Sequence, residues 1–389
     1  MTSTKSKTSN TVASKTAVET AVATAAKVKA IADAAKAVLI DMDDAIDALA
    51  TAICAGEHVI FLGPPGTAKS TLARFFADSM ELTNFRVVLN PDTTREDLVG
   101  AIDPVKLTQG TWERKWARLA CADFALLDEI GKASGQVQNM LLDILEERMV
   151  TSDAGDCRIP LHTAVAASNE TIDDQPAVWD RFVIRALLSY IVEPSDFVRM
   201  LQSDIQPHRC PISREELSGM SCAAYQMSLK PKQDVSNAMV TMWTQVSSYT
   251  AGRVSDRRWK RMLRVAAGNA LLNGRGELEQ EDLAVAKWVL WNDVEEIDAI
   301  RTWSEGVAFA GLQEVMEQEA LLDELRTQAA GFGKVDASNM KQAAQVNFRA
   351  SKLRKLAEAR KADAKNAGLR ERWSKLAVEA GTIAENMIS

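Results

Sequence analysis

The segment His58-Val59-Ile60-Phe61-Leu62-Gly63-Pro64-Pro65-Gly66-Thr67-Ala68-Lys69-Ser70-Thr71 decides the fold of this chain. Residues 58–62 form a short, largely apolar run that ends in a Gly/Pro loop, the pattern of a buried parallel strand. Leu72, Phe75 and Phe76 then follow with helical spacing, so the loop lies where a strand gives way to a helix. Such a loop can turn its backbone N–H groups around phosphate oxygens, with the helix N-terminus aimed at the same place. A lysine that reaches the β- and γ-phosphates and a hydroxyl that ligates Mg²⁺ complete the pattern. Gly63 and Gly66 allow the tight turn, and Lys69 and Ser70 fill the two side-chain roles. The residues from Gly63 through Thr71 are therefore the candidate binding loop for ATP with Mg²⁺. The competing reading, a Gly/Pro turn with a chance lysine, does not account for the strand–loop–helix setting. Ala68 stands where the usual pattern has its last glycine. It costs little if its φ/ψ are helical and strains the loop if φ must be positive.

Working outward, Ile46, Leu49, Ala50 and Ile53 fall at i, i+3, i+4 and i+7 and predict an amphipathic helix that Gly56 stops. Apolar runs at 85–89, 124–127 and 163–167 alternate with helical patterns. That alternation implies right-handed crossovers and a parallel sheet covered on both faces, an α/β fold with an αβα core. The run 124–127 ends in Asp128-Glu129, at the sheet edge where ligands bind. There Asp128 would hold Mg²⁺ through its waters and Glu129 would act as general base on the attacking water. An acidic pair can simply end a strand; its place about sixty residues after a phosphate loop gives it meaning. The run Val165-Ala166-Ala167-Ser168 likewise ends in Asn169, which could orient the lytic water or merely form a turn before Glu170. Residues 136–147 read as a helix, and 149–151 with 158–160 as a hairpin closed by the turn 152–156.

At 389 residues the chain exceeds the comfortable size of one core, and its 47% hydrophobic and 25% charged content is that of a globular protein. We divide it into an extension (1–37), a nucleotide-binding α/β core (38–194), a region of helices only (195–300) and a C-terminal helical hairpin or short coiled coil (301–389). Residues 1–15 are too polar to offset the entropy of ordering, and 16–37 form an alanine-rich helix that needs a partner. No apolar stretch is long enough to span a membrane, and no secretion signal is evident. Five scattered cysteines and three unclustered histidines argue against a zinc site or disulfide framework and fit a reducing cytoplasm. The formal net charge of −7 disfavours a surface devoted to nucleic acid. Between Arg349 and Lys375, however, ten basic residues face three acidic ones. They make either a stripe for an anionic partner or a face balanced by the acidic stretch 314–324 packed antiparallel.

Leu126-Leu127-Asp128-Glu129-Ile130, Ala166-Ala167-Ser168-Asn169-Glu170 and Asp180-Arg181-Phe182-Val183-Ile184-Arg185 together resemble the MoxR family of AAA+ ATPases. The loop with Ala68, and Ser255-Asp256-Arg257-Arg258-Trp259, are similar to its RavA branch, although the large insertion of RavA proteins has no counterpart here. The resemblance covers about 41–293 and implies an αβα core, an all-helical lid and a homo-hexameric ring with ATP between subunits. It places Arg181 as the arginine reaching a neighbour's γ-phosphate, with Arg185 as the fallback, and Arg257 as the lid arginine that senses nucleotide, with Arg258 as its fallback. It further implies that the hairpin at 149–160 faces the pore, and that the partner carries a von Willebrand factor A domain.

The leading expectation is thus an ATP-hydrolysing ring that remodels a protein partner. A nucleic-acid motor rests only on the basic stripe. A non-hydrolysing nucleotide switch or scaffold would have no use for the Glu129 carboxylate.

Overall fold

The computed structural model describes residues 4–151, 155–169, 176–331, 340–363 and 367–386. Two compact units divide the chain, Met1–Ser304 and Glu305–Ser389. The first begins with two helices, α1 (Thr4–Val38) and α2 (Asp43–Ala55), followed by strand β1 (Val59–Leu62) and helix α3 (Lys69–Met80). Next come β2 (Asn84–Val88), β3 (Phe124–Asp128), α4 (Gly135–Glu147) and the short pair β4 (Met149–Val150) and β5 (Cys157–Arg158). Two further strands, β6 (Thr163–Ser168) and β7 (Ile184–Leu187), complete the α/β portion.

The large sheet has the order β2-β3-β6-β1-β7, and each of its pairings is parallel. Leu62 is opposite Ser168, and Asp128 is opposite Ala167, so β1, β3 and β6 end along one edge. All four residues of β1 are buried, as an apolar strand covered on both faces requires. Gly56 ends α2 in the left-handed conformation, φ 65°, and donates to Ala52 and Ile53 carbonyls, as its position after the apolar periodicity implies. The expected hairpin is present: Met149 pairs with Arg158 and Val150 with Cys157, while the tip at 152–154 lies outside the described residues.

Strand β7 corrects the sequence reading, which ran the sheet through four strands and held Arg185 as the fallback for the arginine reaching a neighbour. Arg185 is 1% exposed, in the middle of β7. Its guanidinium lies 4.3 Å from the Trp179 ring centroid and donates to the Trp291 carbonyl at 2.5 Å and the Trp179 carbonyl at 3.2 Å. One charged residue inside the run 183–188 hid an otherwise apolar strand.

Beyond β7 the unit is helical: α5 (Pro194–Gln202), α6 (Arg214–Ser228), α7 (Gln233–Gln245), α8 (Asp256–Leu272) and α9 (Ile297–Ala308). Helix α1 packs against α2, α6 and α8. It buries Ala21, Ala25, Val28, Ile31 and Ala35, and Lys27 pairs with Glu216 at 2.6 Å. The thin apolar stripe therefore has its partner. The helix also extends back to Thr4, through residues expected as a tail, because adding a turn to an existing helix costs far less than nucleating one.

The second unit comprises the rest of α9 with α10 (Ala310–Ala330), α11 (Met340–Asp363) and α12 (Ala367–Asn386). It is a three-helix cluster around Leu325, Val346, Leu353, Trp373 and Leu376, where a helical hairpin or short coiled coil had been expected. Arg360 pairs with Glu314 at 2.7 Å, Arg372 with Glu319 at 2.5 Å and Arg349 with Glu324 at 3.5 Å. The basic stripe is thus partly balanced by the acidic face of α10. Among the described residues, no helix is long and apolar enough to cross a membrane.

Two outcomes test this packing. A Cβ on Gly268 of α8 would lie 2.8 Å from both the Cβ and the backbone nitrogen of Ala55 on α2. Gly268→Ala should therefore cost about 1–3 kcal/mol and lower the thermal midpoint by several degrees. The second concerns His58, which is buried, and His162, which is half-buried, both at the strand starts. His58 Nδ1 accepts from Ala164 N–H at 2.9 Å, and His162 Nε2 faces the Ile53 carbonyl at 2.8 Å. Burial, aided by Arg148, holds His58 well below 6.5 and brings His162 to about 4. The unfolded chain takes these protons near pH 6.5 and the folded one does not, so stability is full above 6.5 and is lost toward pH 4. The urea midpoint should fall between pH 7 and pH 5, with a smaller fall in His162→Gln.

Candidate nucleotide site

Gly63 leaves β1 with φ 146°, and a Cβ there would meet the Leu188 carbonyl oxygen at 2.1 Å, so only glycine permits the loop to pass the end of β7. Gly66 has φ 86° and faces open space. The Thr67 hydroxyl turns back to the Pro64 carbonyl at 2.9 Å. Ala68 has φ 59° and ψ 19°, which settles the open question: the position is left-handed and the alanine is strained, by about 1–2 kcal/mol. Helix α3 starts at Lys69 immediately afterwards, and Thr71 lies in its first turn.

Lys69 is 7% exposed. Its ammonium donates to the Gly63 carbonyl at 2.5 Å, the Pro64 carbonyl at 2.9 Å and Asn169 Oδ1 at 3.0 Å. Burial lowers its pKa, and the nearby Asp128 carboxylate opposes that shift. Ser70 Oγ donates to Asp128 Oδ2 at 2.6 Å. Two hard oxygen donors thus lie side by side at the first turn of α3, a set suited to Mg²⁺. Glu129 follows at φ 55° and pairs with Lys132 at 2.6 Å. Parallel strand ends gather Lys69, Ser70, Asp128 and Asn169 into one place, with Glu129 next in chain.

The arginines lie elsewhere. Arg181 precedes β7 and pairs through Nε with Glu146 at 3.3 Å. Arg257, at the start of α8, reaches the same Glu146 at 3.6 Å and Asp180 at 3.7 Å. Arg261 joins them on Glu146 at 3.0 Å and extends to Glu57 at 3.6 Å. Glu57 and Asp180 precede their strands, so the cluster lies where the strands begin. A strand rises ~3.3 Å per residue, which puts Glu57 about 20 Å from Gly63. Arg257 is therefore not brought to the loop of its own chain. Arg258 is 2% exposed and donates to the Trp291 carbonyl at 2.8 Å and Asn292 Oδ1 at 2.6 Å. Both fallback arginines converge on the Trp291 carbonyl and are buried there, Arg185 away from a neighbour's nucleotide and Arg258 away from the role of lid sensor.

Sequence reasoning missed Tyr190, whose hydroxyl donates to the Pro65 carbonyl at 3.0 Å while the ring stays exposed. An aromatic residue just past the last strand was its only signal. It also missed Lys132, one helical turn beyond the acidic pair.

The strain at Ala68 is testable. Ala68→Gly should leave the urea midpoint unchanged or raise it slightly, since relief of left-handed strain outweighs glycine's entropy. A helical alanine at that position would instead lose about 1 kcal/mol on the same change.

Residues 26–220 match the family described as the MoxR domain in the MoxR-vWA-beta-propeller ternary systems, and 234–304 match an AAA lid domain. An uncharacterized protein of Methanocaldococcus jannaschii is 27% identical over 307 residues, 78% of this chain and 80% of its own. Chaperone MoxR1 of Mycobacterium tuberculosis is 26% identical over 163 residues, 40% of this chain and 42% of its own. The crystal structure of a candidate ATPase from Cytophaga hutchinsonii has a TM-score of 0.60 and 21% identity, covering 75% of this chain and 96% of that one, and speaks for the fold. With a phosphate-loop core in the order β2-β3-β6-β1-β7, a helical lid behind it and a family match across half its length, the chain belongs to the MoxR family of AAA+ ATPases.

Proposed function

We propose that this protein hydrolyses ATP with Mg²⁺ in the cytoplasm as a ring of identical subunits, a hexamer, and uses the cycle to remodel a protein partner. The observation that carries the reading is the convergence of Lys69 with Asn169 at 3.0 Å and of Ser70 with Asp128 at 2.6 Å. A buried ammonium held only by neutral oxygens gains strongly from an anion, so Lys69 would exchange loop carbonyls for phosphate oxygens. Ser70 and Asp128 would hold the magnesium ion, which supplies charge neutralisation at the phosphates. Asn169 would position the water and Glu129 would take its proton, once freed from Lys132.

Arg181 would complete the site in trans. Because Arg257 shares Glu146 with it, we assign Arg257 to the same face, acting on the neighbouring subunit's nucleotide rather than its own. In a head-to-tail ring each subunit offers one edge of its sheet to the opposite edge of the next. A von Willebrand factor A domain protein is the proposed partner, and the ternary systems named by the matched family add a β-propeller as a third component.

Mixing variants tests both claims. Lys69→Ala should abolish ATP binding. Glu129→Gln should keep binding and lower turnover by roughly 10²–10⁴-fold. Arg257→Ala subunits mixed with Lys69→Ala subunits should regain turnover, because the second supplies the arginine and the first the loop. No recovery on mixing, with each variant still assembling, would return Arg257 to its own subunit.

A further inference from the structure

Helix α5 is an amphipathic helix without a partner. None of its nine residues is buried, and no other helix or strand packs across it. Yet Phe197, Val198 and Leu201 share one side, while Asp196 and Arg199 on the other side pair with each other at 2.8 Å. A helix this short is marginal in water by itself, so its apolar side calls for a cover. The chain around it continues the same face. Eight large apolar side chains between 187 and 205 are each more than a third exposed, with Val192 at 82% and Leu201 at 66%. At roughly half exposure and about 200 Å² for each whole side chain, they present ~800 Å². The largest apolar patch of a typical monomer is ~300–600 Å², whereas each partner in a standard interface contributes ~800 Å². Both ends of the segment are tied down. The Tyr190 hydroxyl donates to the Pro65 carbonyl at 3.0 Å, and beyond α5 the Cys210 and Ile212 N–H groups donate to the Ser79 and Met80 carbonyls at 2.8 Å and 3.2 Å. The face thus starts beside the phosphate loop and returns to the far end of α3.

We propose that this face seats a second copy of this chain, the neighbour whose arginines reach the loop, an assignment that rests on the ring proposed above. The opposite edge of the sheet carries apolar groups to meet it. Tyr225 and Leu229 of α6 are exposed, and the Tyr225 ring lies 5.8 Å from the Arg264 guanidinium, which pairs with Glu57 at 3.3 Å. Glu57 also holds Arg261, and Arg261 shares Glu146 with Arg181 and Arg257. One edge therefore combines exposed apolar groups with the arginines, and the other combines an apolar face with the phosphate loop. A single head-to-tail contact satisfies both pairings. Because Asp196 and Arg199 answer each other, α5 asks for no charged partner, and burial of apolar area drives the contact. Tyr190 belongs to the face and also holds the loop at Pro65. Covering the face steadies that hydrogen bond, so assembly and nucleotide affinity should rise together, each strengthening the other.

Sedimentation velocity of the full-length chain over a range of concentrations, with and without ATP, reads the contact directly. Val192→Asp and Leu201→Lys change exposed side chains, so at monomeric dilution both variants should keep the wild-type thermal midpoint. Each should weaken self-association by about tenfold or more, while Leu201→Met should retain it. ATP should tighten assembly of the wild type and of Leu201→Met. Should one charged variant fail to fold, the other decides. Assembly unchanged in the charged variants would overturn the assignment and leave the ring standing. A wild-type chain that stays monomeric at every concentration, with and without ATP, would overturn both. Assembly that is lost with Leu201→Lys, in protein that binds no ATP, would uphold the face and remove the ATPase reading. Protection of 194–202 from amide exchange in an ATP-bound monomer would give the face to the subunit's own lid and overturn the proposal.

Discussion

The ammonium of Lys69 is the constraint around which the site is arranged. It is nearly enclosed, and its three acceptors are two loop carbonyls and one side-chain amide, none of them charged. A buried cation whose direct acceptors are all neutral is costly, and the fold tolerates it because β1 and β6 end at the same level and bring those oxygens to it, with the Asp128 carboxylate nearby. In the proposed function this arrangement is a receptor for negative charge, prepared by backbone geometry. The backbone bears part of the cost. Ala68 and Glu129 are both non-glycine residues in the left-handed region, one just before Lys69 and the other just after Asp128. Each is worth about 1–3 kcal/mol of strain, which surrounding structure must hold in place.

Much of this was legible in the sequence, for reasons specific to each element. β1, β3 and β6 are uninterrupted apolar runs between turn signals, and α2 repeats its apolar residues with period 3.6 before a glycine. In such segments local pattern and global packing ask for the same residues. Strand β7 was obscured because Arg185, placed in the core between Trp179 and Trp291, breaks the run; only the tertiary cage of carbonyls and rings makes a buried guanidinium tolerable. The partner of α1 could not be inferred from an alanine stripe, since small residues say that something approaches closely without saying what. Ala68 was ambiguous in principle, because the letter at a position does not report the sign of its φ. In the second unit, composition announced long helices and acid–base pairing, but Trp373 and its neighbours decide that three helices, and not two, share the core.

The position of Arg257 was the least legible feature, and it bears most on coupling. The family resemblance implied a lid arginine that senses the nucleotide of its own subunit. Here α8 lies against α2, which carries its N-terminal turn to the edge where β1 and β7 begin. Glu146 then draws Arg181, Arg257 and Arg261 together, with Asp180 also on Arg257 and Glu57 also on Arg261. An incoming set of phosphate oxygens would compete with Glu146 for Arg181 and with Glu146 and Asp180 for Arg257. Arg261 would remain on Glu146 and Glu57 and keep the edge intact. In the proposed ring, the nucleotide state of one subunit would in this way be read by both the core and the lid of the next. A change in that state would move lid and core together through the shared glutamate, and ATP can do work on a partner only through such state-dependent differences in affinity.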